Sequence, residues 1–378
     1  MPDVLIYSDT VRSPELRHEV PLLLADPFLY VEKDGVRHLV VSSMEIPRLE
    51  GMPGLALHAA EEFGVDELRR NGTPAADLYD LVSIRAVHAL GVTNAVVPPS
   101  FPILMADLLR AAGVELTPDR ELFDTRRRCK SGAELAGIRR AQAAAEAGMT
   151  AARALLRRAS AGDGGLDVDG APLTSERVKA AILAEFLAHG ATADEFVVSH
   201  GAQSAIGHHM GSGRLQAGET IVIDLWPRDN ESGCSADMKR TFVIGEVPAE
   251  VAEWHRLCKE VLDRSIAEAQ PGIPARSLMH VACDIFEAAG YPTQRTKTPG
   301  EALHDGFFHS LGHGVGLEVH EQPLLGLSGH DDLVVGDVLA VEPGLYRPGF
   351  GGLRLEDLLL VTDSGVENLT SFPYDLTP

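Results

Sequence analysis

The strongest constraint on this fold is a set of carboxylates placed in strands that otherwise read as core. Asp224 closes the apolar run TIVID, Glu342 ends LAVE, and Glu356 lies inside LRLEDLLLV. A charge buried in such a strand costs several kcal/mol unless it is paired or bound to a metal ion. One acid at a strand end is ordinarily solvated or salt-bridged. Three of them, joined by Asp237 in SADMKRTF, call for a shared centre. Arg240 and Arg354 are the close arginines, too few to balance four carboxylates, whereas a pair of divalent cations balances them.

Strand periodicity sharpens this. Side chains two apart on a strand share a face, so Arg354 and Glu356 point into one space while Leu353, Leu355 and Asp357 point into the other. Asp224 and Asp237 are thirteen residues apart, and Glu342 and Glu356 fourteen. Both gaps suit two strands of one hairpin lying side by side. Two such hairpins bring four carboxylates to one centre.

The stretch SLGHGVGLEVHEQP, with His309 just before it, supplies the nitrogen ligands. His320-Glu321 suggests the helical zinc motif H-E-x-x-H, but position 324 is Leu and Pro323 stops a helix. His313 stands between two glycines, which allow close backbone approach and aim the ring at the acids. An oxygen-rich set with one imidazole favours Mn, Co, Fe or Zn over Mg or Ca. His320 presents a second ring to a substrate.

Residues 1–128 read as a small α/β domain. FLYVEKDGVRHLVVSS predicts two strands around a Lys-Asp-Gly turn, and GVDELRRN, DLYDLVSIRAVHALG and FPILMADLLRAAG predict helices. This region gathers no catalytic residue types, so its expected role is structural or to wall one side of a pocket. The basic cluster RRRCK is the expected linker to a second domain over 129–378. There Ser131 and Glu134 form a capping box, opening an Ala-rich helix to about Ala159. AGDGGLDVDGAPLT is expected to be loop, and TSERVKAAILAEFLAHG a helix ending at Gly190. FVVSH and TIVIDLW read as strands, Glu250–Ala269 and Ser277–Ala289 as helices, and DVLAVEPGLY and LRLEDLLLVT as one strand each. The order helix, helix, acid-bearing hairpin occurs twice, which predicts α+β architecture with a largely antiparallel sheet.

Composition narrows the partners. The net charge of −22 repels nucleic acid and anionic lipid, and no apolar run reaches membrane-spanning length. The N-terminus, MPDVLIYSDT, lacks a secretory pattern, and four cysteines scattered without CxxC spacing indicate no disulfide framework. A cytoplasmic location is expected.

IDLW…SADMKRTF, SLGHGVGLEVHEQP, LAVEPGLY and LRLED together resemble the signature blocks of the pita-bread metallopeptidases, specifically the Xaa-Pro dipeptidase (prolidase) and aminopeptidase P branch. KSGAELAGIRRA resembles the start of that family's catalytic domain, and the N-terminal portion its creatinase-like N-domain. The resemblance implies a pseudo-twofold antiparallel sheet with flanking helices in the second domain. It implies two divalent metal ions, manganese first, on Asp224, Asp237, His313, Glu342 and Glu356, with Asp237 and Glu356 bridging. A hydroxide between the metals would attack the peptide carbonyl preceding proline. Glu342 would shuttle the proton, His208 and His320 would stabilise the oxyanion, and His309 and Arg354 would contact substrate. A proline-containing di- or oligopeptide is the implied substrate, and a homodimer the implied assembly.

Two features depart from the family pattern. The gap between the aspartates is two residues longer than usual, and Trp226 stands where glycine is common. Both bear on pocket shape. The alternatives are an aminopeptidase P acting on longer Xaa-Pro-Yaa peptides, and a metal-free creatinase-like hydrolase or inactive binding relative. Metal-free relatives usually show eroded ligand positions, and all five are filled here.

Overall fold

The computed structural model describes residues 2–378 and divides into two compact units, one running to Arg127 and the other from Arg128 to Pro378.

The first unit is built on six strands, β1 (Val4–Ser8), β2 (Phe28–Lys33), β3 (Val36–Val41), β4 (Leu55–Ala59), β5 (Asn94–Val97) and β6 (Glu115–Pro118), in the order β4-β3-β2-β1-β5-β6. The β1-β2-β3 meander is antiparallel, and β4, β5 and β6 join in parallel. The predicted hairpin forms because Asp34 and Gly35 both adopt positive φ, 51° and 78°, the primed-turn geometry that matches strand twist. Alternation along β1 sends Leu5 to one core and Val4 and Ile6 to another. The predicted helices Val65–Arg70, Ala75–Ala89 and Ile103–Ala111 cover the first of these faces.

In the second unit the capping box forms as expected. The Ser131 N–H donates to Glu134 Oε2 at 2.7 Å, and Ser131 Oγ accepts from the Glu134 N–H at 3.2 Å. The helix it opens, Gly132–Arg157, packs on Ser175–Ala188 so closely that a Cβ on Gly148 would lie 2.9 Å from Phe186. These two helices bury Ala145, Met149, Val178 and Ile182 against one set of strands. A second pair, Ala249–Glu268 and Ala275–Ala288, buries Trp254, Val261, Leu278 and Phe286 against another. Helix pair and acid-bearing strands thus occur twice.

Three expectations are corrected. The basic cluster stands at the division between the units, but as the end of a helix rather than an irregular linker: helix Arg120–Arg128 runs through it, leaving Cys129 and Lys130 before the cap. Its arginines have dedicated acids, Arg126 on Glu19 and Glu32, and Arg128 bidentate on Asp337. AGDGGLDVDGAPLT is not loop but a meander of β7 (Ser160–Gly162), β8 (Gly165–Val168) and β9 (Ala171–Pro172). Positive φ at Gly164–Gly165 and Asp169–Gly170 makes its turns, and buried Leu166 and Val168 anchor it.

The third correction shapes the centre of the unit. After β10 (Ala191–Thr192) come β11 (Val197–His200), β12 (Thr220–Leu225), β13 (Arg228–Asp229) and β14 (Met238–Val243), with a three-stranded sheet ordered β11-β12-β14. Then follow β15 (Gly312–Gly314), β16 (Glu321–Leu325) and β17 (Val338–Val341). DVLAVEPGLY and LRLEDLLLVT each split in two, giving β18 (Gly344–Arg347), β19 (Gly351–Arg354), β20 (Asp357–Thr362) and finally β21 (Gly365–Asn368). Pro343 has no N–H to continue a ladder, and on both strands the chain leaves the five-stranded sheet β16-β15-β17-β20-β21 for the ribbon β18-β19 near Glu342 and Glu356. All these strand pairs are antiparallel. A single bridge joins the two sheets: the Glu356 N–H donates to the Lys239 carbonyl at 3.0 Å.

Among the described residues no helix is long and apolar enough to cross a membrane. All four cysteines are free.

Candidate metal centre

Each acid is delivered by a strand end or a strand break. Asp224 lies on β12, Asp237 immediately precedes β14, and Glu342 and Glu356 sit at the breaks where the chain enters and leaves the β18-β19 ribbon. His313 is the middle residue of β15. Its flanking glycines are required: a Cβ on Gly312 would lie 1.8 Å from the Ala340 carbonyl oxygen, and one on Gly314 would lie 2.1 Å from that of Gln322. Only glycine lets β15 fit between β16 and β17 with the imidazole turned to the acids.

The structure brings all five expected ligand residues together and buries every one of them. His313 Nε2 lies 3.7 Å from Asp237 Oδ2 and 3.7 Å from Glu342 Oε1. Asp237, His313 and Glu356 each present a ligand atom within 4.8 Å of the others, the one such group among the described residues. Asp224 Oδ1, Asp237 Oδ1, Glu356 Oε2 and His313 Nε2 are buried without a hydrogen-bond partner. Buried polar atoms ordinarily find partners, and a bound cation would supply one to each of these four. The donor set suits a divalent ion.

Sequence reasoning missed the residue at the middle of the cluster. Lys239 is buried, and its Nζ lies 2.8 Å from Glu342 Oε2, 3.2 Å from Glu356 Oε1, 3.5 Å from Asp224 Oδ2 and 3.9 Å from Asp237 Oδ1. The signal was present: Lys239 is two residues from Asp237, so the periodicity that pairs Arg354 with Glu356 pairs these as well. Arg240, by the same rule, faces away. It donates to Asp357 Oδ1 at 3.0 Å and to the carbonyls of Glu356, Phe372 and Pro373. It therefore does not balance the four acids, as its sequence position suggested.

Arg354 does reach them, its Nη1 lying 3.5 Å from Asp224 and 3.6 Å from Glu342 while its Nη2 donates to the Gly207 carbonyl at 2.6 Å. Its Nε is left without a partner.

Burial dominates the electrostatics. It pushes Asp237 up to about 7, with Lys239 opposing, and raises Glu356, with Asp237 adding to the effect. Burial also acts to raise Glu342, but Lys239, His309, His313 and Arg354 hold it well below the usual carboxylate range. For Lys239 burial acts to lower the ammonium, and the four surrounding carboxylates lift it well above its ordinary value. His313 is pushed down to about 4 by burial and is a neutral imidazole, the form that ligates metals.

A cavity of about 730 Å³ opens on the cluster, within the range of about 300–1,000 Å³ typical of small-molecule sites. Asp224, Asp237, Lys239, Glu342 and Arg354 line it, with His208, His309, His320 and Trp226. His208 is exposed to it, whereas His209 is turned to its own loop and accepts from the Gly211 N–H. The His320 ring stands edge-on to that of His313 at 4.3 Å. His309 donates from Nδ1 to the Ser310 carbonyl at 2.7 Å, so its Nε2 accepts from the Tyr346 hydroxyl at 2.8 Å. Glu321 belongs to strand β16 and pairs with Lys130 at 2.6 Å, which agrees with rejecting a helical zinc motif.

Comparison with known proteins extends this geometry. Residues 136–363 match Metallopeptidase family M24. The chain is 36% identical over 183 residues to the Xaa-Pro dipeptidase of Pyrococcus furiosus, covering 48% of this chain and 48% of that protein. It is 31% identical over 336 residues to the probable dipeptidase PepE of Mycobacterium bovis, covering 88% of this chain and 81% of that one. The first match thus spans about half of the curated relative's length. The solved X-Pro aminopeptidase of Thermotoga maritima superposes with a TM-score of 0.79 at 21% identity, over 99% of this chain and 97% of that one, and shares the fold.

Proposed function

Because the chain belongs to metallopeptidase family M24, we propose that it is a divalent-metal peptidase cleaving the bond before proline, foremost in Xaa-Pro dipeptides. The observation that carries this is the set of orphaned ligand atoms of Asp237, His313 and Glu356, buried together, with Asp237 also lining an open cavity. A divalent ion held there lowers the pKa of a bound water and polarises the scissile carbonyl.

The chain's own groups supply the rest. Glu342 faces His313 through one oxygen and Lys239 through the other and, held ionised, is placed to accept a hydrogen bond from the attacking water. His208 and His320 line the cavity and offer imidazole N–H groups to the oxyanion that develops on the substrate. Arg354, held by Gly207 and the acids, lines the cavity and offers its guanidinium to orient a peptide carboxylate. Trp226 and the neutral His309 give the cavity apolar walls suited to a proline ring. Manganese is the proposed metal, on the mixed carboxylate–imidazole donor set. A homodimer and a cytoplasmic location remain parts of this reading, from the family resemblance and the sequence.

The test is proline release from Ala-Pro beside cleavage of Ala-Pro-Ala, by protein stripped with chelator and reloaded with manganese. Metal-restored turnover of the dipeptide is expected. Cleavage of the tripeptide alone would move the assignment to an aminopeptidase P, and silence on both with metal bound would overturn Xaa-Pro specificity.

A further inference from the structure

We propose that the Lys239 ammonium takes the place of one of the two divalent ions that this ligand set is expected to hold. The centre then accepts a single metal ion per chain, on Asp237, His313 and Glu356. The inference rests on the metallopeptidase reading and changes what that site contains.

Geometry carries the argument. The five ligand residues divide into two groups according to where their ligand atoms lie. Asp237, His313 and Glu356 keep one orphaned atom each, and these residues form one compact set of ligand atoms within 4.8 Å. Asp224 stands outside that set: its Oδ1 is orphaned as well, but its Oδ2 is shared by Lys239 at 3.5 Å and Arg354 at 3.5 Å. Glu342 Oε2 is held in the same way by Lys239 at 2.8 Å and Arg354 at 3.6 Å. A first-row divalent ion needs carboxylate oxygens at about 2.0–2.2 Å. The ammonium holds them at hydrogen-bond distance, and both cations cannot occupy the space between Asp224 and Glu342.

The backbone fixes Lys239 in this position from two sides. It is the directly opposed cross-strand partner of Asp224, and its carbonyl accepts from the Glu356 N–H. Its side chain is only 5% exposed, so the ammonium belongs to the interior of the site.

Charge balance agrees. Ionised as metal ligands must be, Asp224, Asp237, Glu342 and Glu356 carry four negative charges, against one on Lys239 and one on Arg354. The remainder is the charge of one divalent ion. Two such ions would leave the buried cluster with an excess of two positive charges, costly to bury without further anions.

The experiment uses the full chain, stripped with chelator and dialysed against excess manganese. Bound metal is counted by mass spectrometry, and the electron paramagnetic resonance spectrum tells isolated from exchange-coupled ions. The expected result is one ion per chain with an uncoupled manganese spectrum. Lys239→Ser, checked for folding by circular dichroism, is expected to take up a second ion and develop a coupled spectrum. Lys239→Met keeps the length without the charge and serves if the serine variant fails to fold. Two ions per wild-type chain would overturn the inference and leave the metallopeptidase reading intact. A folded Lys239→Ser that still binds one ion would overturn the assignment to Lys239. No metal in the wild type would overturn both readings. One ion without peptide hydrolysis would leave this inference standing and remove the proposed activity.

Discussion

Asp224 and Lys239 oppose each other directly across β12 and β14, with the ammonium 3.5 Å from the carboxylate. This cross-strand pair sits in the middle of the candidate centre, where the wall of one sheet meets the break in the other. It makes Lys239 part of the electrostatics of every acid in the cluster, and several expectations follow from what surrounds it.

Removing metal should weaken the fold. An ion that binds only the native state stabilises it by about 2.7 kcal/mol at a concentration of about 100 times Kd. In a unit this size that corresponds to a rise of several degrees in Tm. Differential scanning calorimetry of stripped protein, with and without manganese, should show that rise. Magnesium should give a smaller one, because it prefers all-oxygen octahedral sites over a set containing imidazole.

Arg240 is predicted to be structural. It is 1% exposed and gives four backbone carbonyls and Asp357 their hydrogen bonds. Arg240→Ala leaves the buried Asp357 carboxylate without its cation and should cost about 3–5 kcal/mol, seen in urea unfolding. The conservative Arg240→Lys should recover only part, since one ammonium cannot reproduce the planar fork.

The same contrast shows how much was legible in the sequence. Acids in TIVID, LAVE and LRLEDLLLV stand out because apolar strands do not tolerate unpaired charge, and so the residues alone reveal the convergence of Asp224, Asp237, His313, Glu342 and Glu356. Lys239 is not visible in that way. A lysine in DMKRTF has the look of an ordinary surface cation; its two-residue spacing from Asp237 is its one sequence signal, and the register that opposes it to Asp224 puts it inside. The strand breaks at Glu342 and Glu356 were hidden for a related reason. Hydrophobic alternation continues through LRLED while the hydrogen-bonding partner changes from β18 to β17. The meander at β7–β9 was hidden because its two glycine turns dominate a segment with little apolar surface, although Leu166 and Val168 already marked an inward face.

The glycines around His313 should tolerate no side chain. Gly312→Ala drives a methyl group into the Ala340 carbonyl, so β15 must shift against β17. Overpacking of this kind costs about 1–3 kcal/mol. Because His313 moves with the strand, metal affinity should fall together with stability. Unfolding and manganese titration on the same preparation check both.

Acidification should destabilise the protein through His309. Burial depresses this imidazole to about 4, with Glu342 opposing and Arg354 and Lys239 adding to the depression. The unfolded chain takes up the proton near 6.5, before the folded one does. Stability is therefore fully present above about pH 6.5 and is lost progressively as pH falls towards about 4. Urea unfolding at pH 7.5 and pH 5 should show the loss, and His309→Gln, which has no proton to gain, should flatten that limb.

The central claim is that the orphaned atoms of Asp237, His313 and Glu356 hold a divalent ion, and calorimetric titration of manganese into stripped protein tests it most directly. The wild type should give saturable binding. His313→Ala, which removes the one nitrogen ligand from the set while leaving the acids in place, should weaken that binding by about 100-fold or more. Equal affinity in the two proteins would contradict the account, because the ion would then be bound somewhere other than at these residues.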